Sequence, residues 1–154
     1  MSPKIATNRN VDRDELLEFI RPRHRMVLVT RRRDGSPQLS PVTGGLDGEG
    51  RIVVSTYPDR AKANNARRDP AGSVLVLSDD WNDEWVQVDG PIEVLDLPDS
   101  IEPLVEYFRV IAGEHDDWDE YRQAMVRQGK SLLRLTPERW GPIATGGFPP
   151  DRVP

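Results

Sequence analysis

RIVVSTYPDRAKANNARRDPAGSVLVL, residues 51–77, changes its period twice, and those changes decide how the chain is built. Ile52, Val53, Val54 and Ser55 form a run of mostly β-branched side chains, a strand that has to end before Pro58. Asp59 is able to cap a short helix that runs to Arg67 or Arg68 and is closed by Asp69-Pro70. Ser73 to Leu77 then reads as a buried strand. The result is strand, short helix, strand.

The flanking sequence extends this pattern in both directions. Upstream, Asp12 and Glu15 have capping-box spacing, and Leu16, Leu17 and Ile20 form the apolar stripe of a helix over 12–21 that Pro22 stops. Residues 26–30 and 38–42 read as two strands joined through an Asp34-Gly35 turn, and the turn at 47–50 leads into Ile52. Downstream, 85–94 is a long strand with a bulge or bend expected at Asp89-Gly90. Two helices follow: 101–112, with Pro103 in its first turn, and 118–127, capped by Asp116 or Asp117 and ended by Gly129. Residues 132–135 make a sixth strand, while the arm at 1–11 and the Gly- and Pro-rich tail at 141–154 read as irregular. Parallel strands need crossover helices, and none separates the first three strands. The pattern therefore implies a mainly β (α+β) antiparallel barrel, with residues 1–154 forming one domain and the barrel at 16–140.

Composition excludes several classes of function. The chain has 154 residues, 36% hydrophobic and 31% charged, and no apolar run approaches the roughly 20 residues of a membrane span. MSPKIATNRN lacks the apolar region of a secretory signal, so a cytoplasmic location is expected. With no cysteine, and only His24 and His115 as imidazoles, no metal site is expected. A net charge of -5 argues against nucleic acid as a partner. The GxGxxG, GxxxxGK[ST] and GxSxG fingerprints are missing.

The chemistry is concentrated in Ser55 to Pro70. Arg60, Lys62, Asn65, Arg67 and Arg68 place five donor side chains within nine residues, behind the hydroxyls of Ser55 and Thr56. Such donors at a helix start make a cradle for a phosphate group. A solvated basic helix paired with surface carboxylates accounts for the same pattern equally well.

Three stretches together, TRRRDGSPQLSPV (30–42), the stretch quoted above, and VIAGEHDDWDEYRQAMVRQGKSLLRLTPERW (110–140), resemble the pyridoxamine 5′-phosphate oxidase-like split-barrel superfamily. Within it the chain is similar to the actinobacterial branch of coenzyme F420 (deazaflavin) dependent reductases, over about residues 16–140. The resemblance implies a six-stranded antiparallel split β-barrel with short peripheral helices. It also implies a homodimer with two cofactor sites at the subunit interface, and hydride transfer from reduced F420 to an unsaturated small-molecule substrate. By position it places Ser55 and Thr56 near the ribityl chain, Arg60, Ala61 and Lys62 at the phosphate, and Asn65 as a further contact or brace. Gln38, Ser40, Pro41 and Val42 run beside the ring system. Arg67 and Arg68 are expected to pair with Asp69 or Asp79. Gly44 and Gly45 either widen the substrate pocket or serve a bulge, and Trp81 and Trp85 belong to the core, the dimer interface or the neighbouring subunit's pocket. His115 is expected to cap or hydrogen-bond. No catalytic residue is assigned; Tyr57, His115 or water can return the proton. An FMN-dependent enzyme like pyridoxamine-phosphate oxidase and a non-enzymatic cofactor-binding module are the alternatives.

Overall fold

The computed structural model describes residues 4–154, so the first three residues of the expected N-terminal arm lie outside the described residues. Helix α1 (Arg13–Ile20) opens with the expected capping box. The Glu15 N–H donates to Asp12 at 2.9 Å, the Asp12 N–H donates to the Glu15 carboxylate at 3.2 Å, and Leu16, Leu17, Phe19 and Ile20 are buried. Strands β2 (Arg25–Arg31) and β3 (Pro37–Thr43) form the hairpin, with Gly35 at φ 84° and Asp34 accepting from Ser36 in the turn. The other long strands are β5 (Ile52–Thr56), β6 (Ala71–Val76), β7 (Val86–Leu95) and β8 (Ser131–Leu135). α2 (Ala61–Arg68) joins β5 to β6, and α3 (Ile101–Ala112) with α4 (Trp118–Gln128) joins β7 to β8. Asp117 caps α4 by accepting from the Glu120 N–H at 3.1 Å, and Gly129 ends it in the left-handed conformation.

Within the main sheet the strands pair antiparallel, and with the short β4 (Gly45–Leu46) the order is β3-β2-β6-β7-β8-β5-β4. The two end strands, β3 and β4, are separated in sequence by Gly44 alone, so the curled sheet meets itself at that corner. This is the split-barrel fold. Gly44 and Gly45 are buried there: a Cβ on Gly44 would lie 2.5 Å from the Met26 sulfur, and one on Gly45 2.7 Å from Val110 Cγ1. Neither glycine has a positive φ, and the space beside them is filled. They are small because the corner is tight, not because a pocket is wide.

The structure corrects two further expectations. Residues 86–91 of β7 pair in unbroken register with β6, so Asp89-Gly90 carries no bulge. The irregularity lies across the other edge of β7, where residues 136–138 connect β8 to β9 (Arg139–Trp140), the Thr136 N–H donating to the Pro91 carbonyl and the Glu138 N–H to the Asp89 carbonyl. Gly90 is needed because any Cβ would collide with the Thr136 carbonyl oxygen. The arm and tail also contain regular structure: β1 (Thr7–Arg9) pairs with β10 (Ile143–Thr145), and the Thr7 and Thr145 hydroxyls are 2.8 Å apart.

Apolar side chains pack in two clusters. One fills the barrel, from Leu16 and Ile20 through Met26, Leu28, Val74, Val88 and Leu133. The other lies between α3–α4 and the outer face of β5 and β8, around Val53, Leu104, Tyr121 and Leu132. Among the described residues no helix is long and apolar enough to cross a membrane.

Candidate functional site

The site grows from the point where the β5–β8 ladder ends. Thr56, the last residue of β5, faces Ser131, the first of β8, and both are buried. One step beyond, the Lys130 ammonium lies 4.4 Å from the centre of the Tyr57 ring. The chain then turns, the Arg60 N–H donating to the Tyr57 carbonyl at 3.2 Å, and the Arg60 guanidinium sits over the same ring at 5.8 Å. That turn makes Arg60, not Asp59, the N-cap of α2, which corrects the expected cap. No side chain caps the helix. The Arg60 carbonyl accepts from Ala63 and Asn64, leaving the N–H groups of Ala61 and Lys62 without a partner among the described residues.

Charge sharpens this geometry. Among the described residues Arg60, Lys62 and Lys130 form no ion pair. Lys62 is half-buried; that burial, and after it the like charge of Arg60, holds its ammonium below the ordinary lysine value. A cation held this way gains most from an arriving anion, and unpartnered N–H groups at a helix start add oriented dipoles.

Arg67 and Arg68 are structural, with other partners than expected. Arg67 forks onto Asp96 at 2.7 and 3.0 Å and donates to the Pro58 carbonyl at 2.8 Å. Arg68 donates to Asn65 Oδ1 at 2.9 Å and to the Arg31 carbonyl at 2.8 Å. Asp79 pairs with Arg25 instead, and Asp69 accepts from the Ala71 N–H. The reason is the setting of α2: burial of Ala63 and Ala66 turns Arg67 toward the segment after β7 and Arg68 toward β2.

Asn65 is 7% exposed and is a brace. Its Nδ2 donates to Thr30 Oγ1 at 3.1 Å; Thr30 donates to Gln38 Oε1 at 3.3 Å, and Gln38 Nε2 donates to Ser40 Oγ at 3.0 Å. A continuous polar line thus joins α2 to β3. Gln38, Ser40 and Val42 stand opposite Thr30, Leu28 and Met26, on the barrel side of the strand, while Pro41 stands opposite Val27 and faces outward. Ser55 and Thr56 likewise face opposite sides of their ladder. Thr56 turns into the barrel end, and Ser55 lies beside Tyr107, whose hydroxyl donates to the Thr43 carbonyl at 2.7 Å and is pushed to higher pKa by burial. The structure therefore gathers Arg60, Ala61, Lys62 and Asn65, links Gln38 and Ser40 to them, and leaves Pro41 and Ser55 pointing elsewhere. His115 has a hydrogen-bonding part, its Nδ1 accepting from the Asp117 N–H at 2.9 Å.

Beside α2 a hollow of about 620 Å³ lies between Arg33 and the row Ala61, Asn64, Asn65, Arg67 and Arg68. Its size is that of a small-molecule site. A hollow of about 640 Å³ elsewhere is mostly apolar and bounded by Leu75, Trp81 and Trp85. Thr30 and Lys130 are the parts of this neighbourhood that the sequence reading does not single out, and strand register brings them to it; Tyr57 lies within the Ser55 to Pro70 stretch itself.

The chain overlays a conserved hypothetical protein of Mycobacterium tuberculosis with a TM-score of 0.71 at 22% identity, covering 91% of this chain and 89% of that one. It overlays an F420 reductase at 0.61 and 19% identity (80% and 94% covered), and a heme binding protein of Mycobacterium smegmatis at 0.63 and 20% (86% and 54% covered). At these identities the likenesses establish the fold. The profile of pyridoxamine 5′-phosphate oxidase matches residues 12–144, which takes in α1, the six long strands and the phosphate-binding candidates of α2 alike. By that match, over most of its length, the chain belongs to the pyridoxamine 5′-phosphate oxidase family.

Proposed function

We propose that this protein is a cytoplasmic, homodimeric, F420-dependent oxidoreductase that reduces an unsaturated organic substrate. The observation that carries the reading is the half-buried Lys62, without a carboxylate partner among the described residues, at the uncapped start of α2 beside Arg60. A phosphate ester fits that donor set. Bound F420 supplies the hydride chemistry. The chain's own residues bind and orient: Lys62, Arg60 and the Ala61 and Lys62 N–H groups hold the phosphate, and Gln38 and Ser40 fix the edge of β3 beside the ring system. The Thr30–Asn65 link keeps those two halves of the site at a set distance.

The dimer is supported by the outer face of β3, β2 and β6. Leu39 is 58% exposed, Trp81 is 81% exposed, and Pro41, Val27, Val29, Leu75 and Leu77 lie between them. That apolar face adjoins two hollows, of about 450 and 640 Å³, that share Leu77 and Trp81. A second copy of the chain is its natural cover.

Family membership favours a second reading, an FMN-dependent oxidase of pyridoxamine-phosphate type. Titration with F420 and with FMN, followed by loss of reduced F420 in the presence of candidate enones and quinones, separates the two. Tighter F420 binding with turnover supports the reductase. A bound yellow flavin with F420 inert supports the oxidase, and binding without turnover supports a cofactor-carrying module.

A further inference from the structure

Lys130 stands between Gly129, which ends α4, and Ser131, which begins β8, nowhere near α2 in sequence. Register brings it there: Thr56 pairs with Ser131, so Tyr57 and Lys130 meet where the ladder stops. Two cations then address one aromatic ring, Lys130 at 4.4 Å and Arg60 at 5.8 Å, and the charge of Arg60 acts in turn on Lys62. A π contact orients an ammonium without neutralising it or using up its N–H donors. The carboxylate beside this group, Asp96, is committed to Arg67 and to the Ser131 hydroxyl. Lys130 is half-buried, and among the described residues it pairs with no carboxylate.

We propose that Lys130, aimed by the Tyr57 ring, is a third cation of the anion site and sets its selectivity for ligands carrying a phosphate group. The site then spans two separate parts of the chain, the turn into α2 and the start of β8. Tyr57 is a positioning residue: its ring meets both the Lys130 ammonium and the Arg60 guanidinium. Arg60 is a like charge acting on Lys62, and Lys130 shares the Tyr57 ring with Arg60, so a phosphate bound there meets cations from both parts of the chain. The proposal rests on the cofactor-binding reading above for the ligand's identity, but the cation cluster itself does not depend on it.

The test compares Lys130→Gln, Lys130→Arg and Tyr57→Leu with the unaltered protein. Thermal unfolding checks that each is folded, and three probes are used: FMN, riboflavin and inorganic pyrophosphate. Fluorescence quenching gives the affinity for the two flavins and calorimetry that for pyrophosphate. The expected result is that Lys130→Gln weakens FMN and pyrophosphate about tenfold and leaves riboflavin unchanged. Lys130→Arg should retain most of the affinity, and Tyr57→Leu should fall between the two. FMN and pyrophosphate affinities unchanged in Lys130→Gln, or lost together with riboflavin, overturn the proposal. Binding of neither pyrophosphate nor FMN by the unaltered protein overturns it also. If pyrophosphate binds through Lys130 while neither flavin nor F420 binds, the cation site stands and the flavin-type cofactor reading falls.

Discussion

The Asn65 side-chain amide donates to the Thr30 hydroxyl across 3.1 Å, and this bond ties α2 to β2 in an interior where both residues are more than nine-tenths buried. Thr30→Val keeps the shape of the side chain and removes the hydroxyl, leaving the Asn65 amide and Gln38 Oε1 each short of a partner. An unmade buried hydrogen bond costs about 1–3 kcal/mol. Urea unfolding of Thr30→Val should show a loss of that size; a change within about 0.5 kcal/mol would mean the line from α2 to β3 is not a structural tie.

Lys62→Ala removes the half-buried cation at the start of α2. Affinity for a phosphate-bearing cofactor should fall by about 1.5–3 kcal/mol, roughly ten- to hundredfold, since one charge-assisted bond is lost. Folding stability should hold, because among the described residues Lys62 has no ion-pair partner to lose. Fluorescence titration of the folded variant checks the first statement and thermal unfolding the second.

The pKa of Lys62 also fixes a pH dependence. Burial and then Arg60 lower its pKa in the free protein, and a bound phosphate restores the charged form. Binding is therefore strongest below the lowered value and weakens as pH rises through it, beginning short of the ordinary lysine range. Stability of the free protein moves oppositely, improving as pH rises through the same window, since the charged form is disfavoured only in the folded state. Affinity measured from pH 7 to 10 should decline for the unaltered protein and stay flatter for Lys62→Arg.

Gly90→Ala should be costly and Gly141→Ala should not. A Cβ at 90 meets the Thr136 carbonyl, which is backbone and unable to step aside, whereas nothing lies within 4 Å of one at 141. Overpacking of that kind costs about 1–3 kcal/mol or more, against a few tenths for an open position. Equal denaturation midpoints for the two variants would contradict the packing described at the β7 edge.

Association should depend on the apolar face of β3. Light scattering at micromolar concentration is expected to give twice 17.4 kDa for the unaltered chain, with an interface above about 2,000 Å², and a 17.4 kDa species for Leu39→Asp. A monomer in both cases would remove the dimer from the proposed function.

Much of this architecture was legible in the sequence because local rules fixed it. The Asp12–Glu15 capping box, the Asp34-Gly35 turn and the period change around Pro58 each depend on residues within a few positions of one another. What escaped depends on contacts that sequence spacing does not carry. β1 and β10 are three residues each and gain meaning only by pairing Thr7 with Thr145. The partners of Arg67 and Arg68 are set by the rotation of α2, and Asp96 lies beyond the next two strands. Gly44, Gly45 and Gly90 carry no conformational signature, since their need is steric and their neighbours are distant in the chain. Lys130 looks like a lysine after a helix stop until β8 is laid against β5.

The insertion of α3 and α4 between two neighbouring strands bears on how the barrel assembles. β5 pairs Ile52 with Leu135 and β7 pairs Leu95 with Leu132, so both contacts that close this side join distant segments, and the search for each costs entropy that grows with the chain between them. If the two helices associate early through Leu104, Tyr121 and their aromatic neighbours, they bring the end of β7 back to the start of β8 and remove most of that search. The helical pair would then act as a folding clamp: its weakening should slow refolding more than it speeds unfolding.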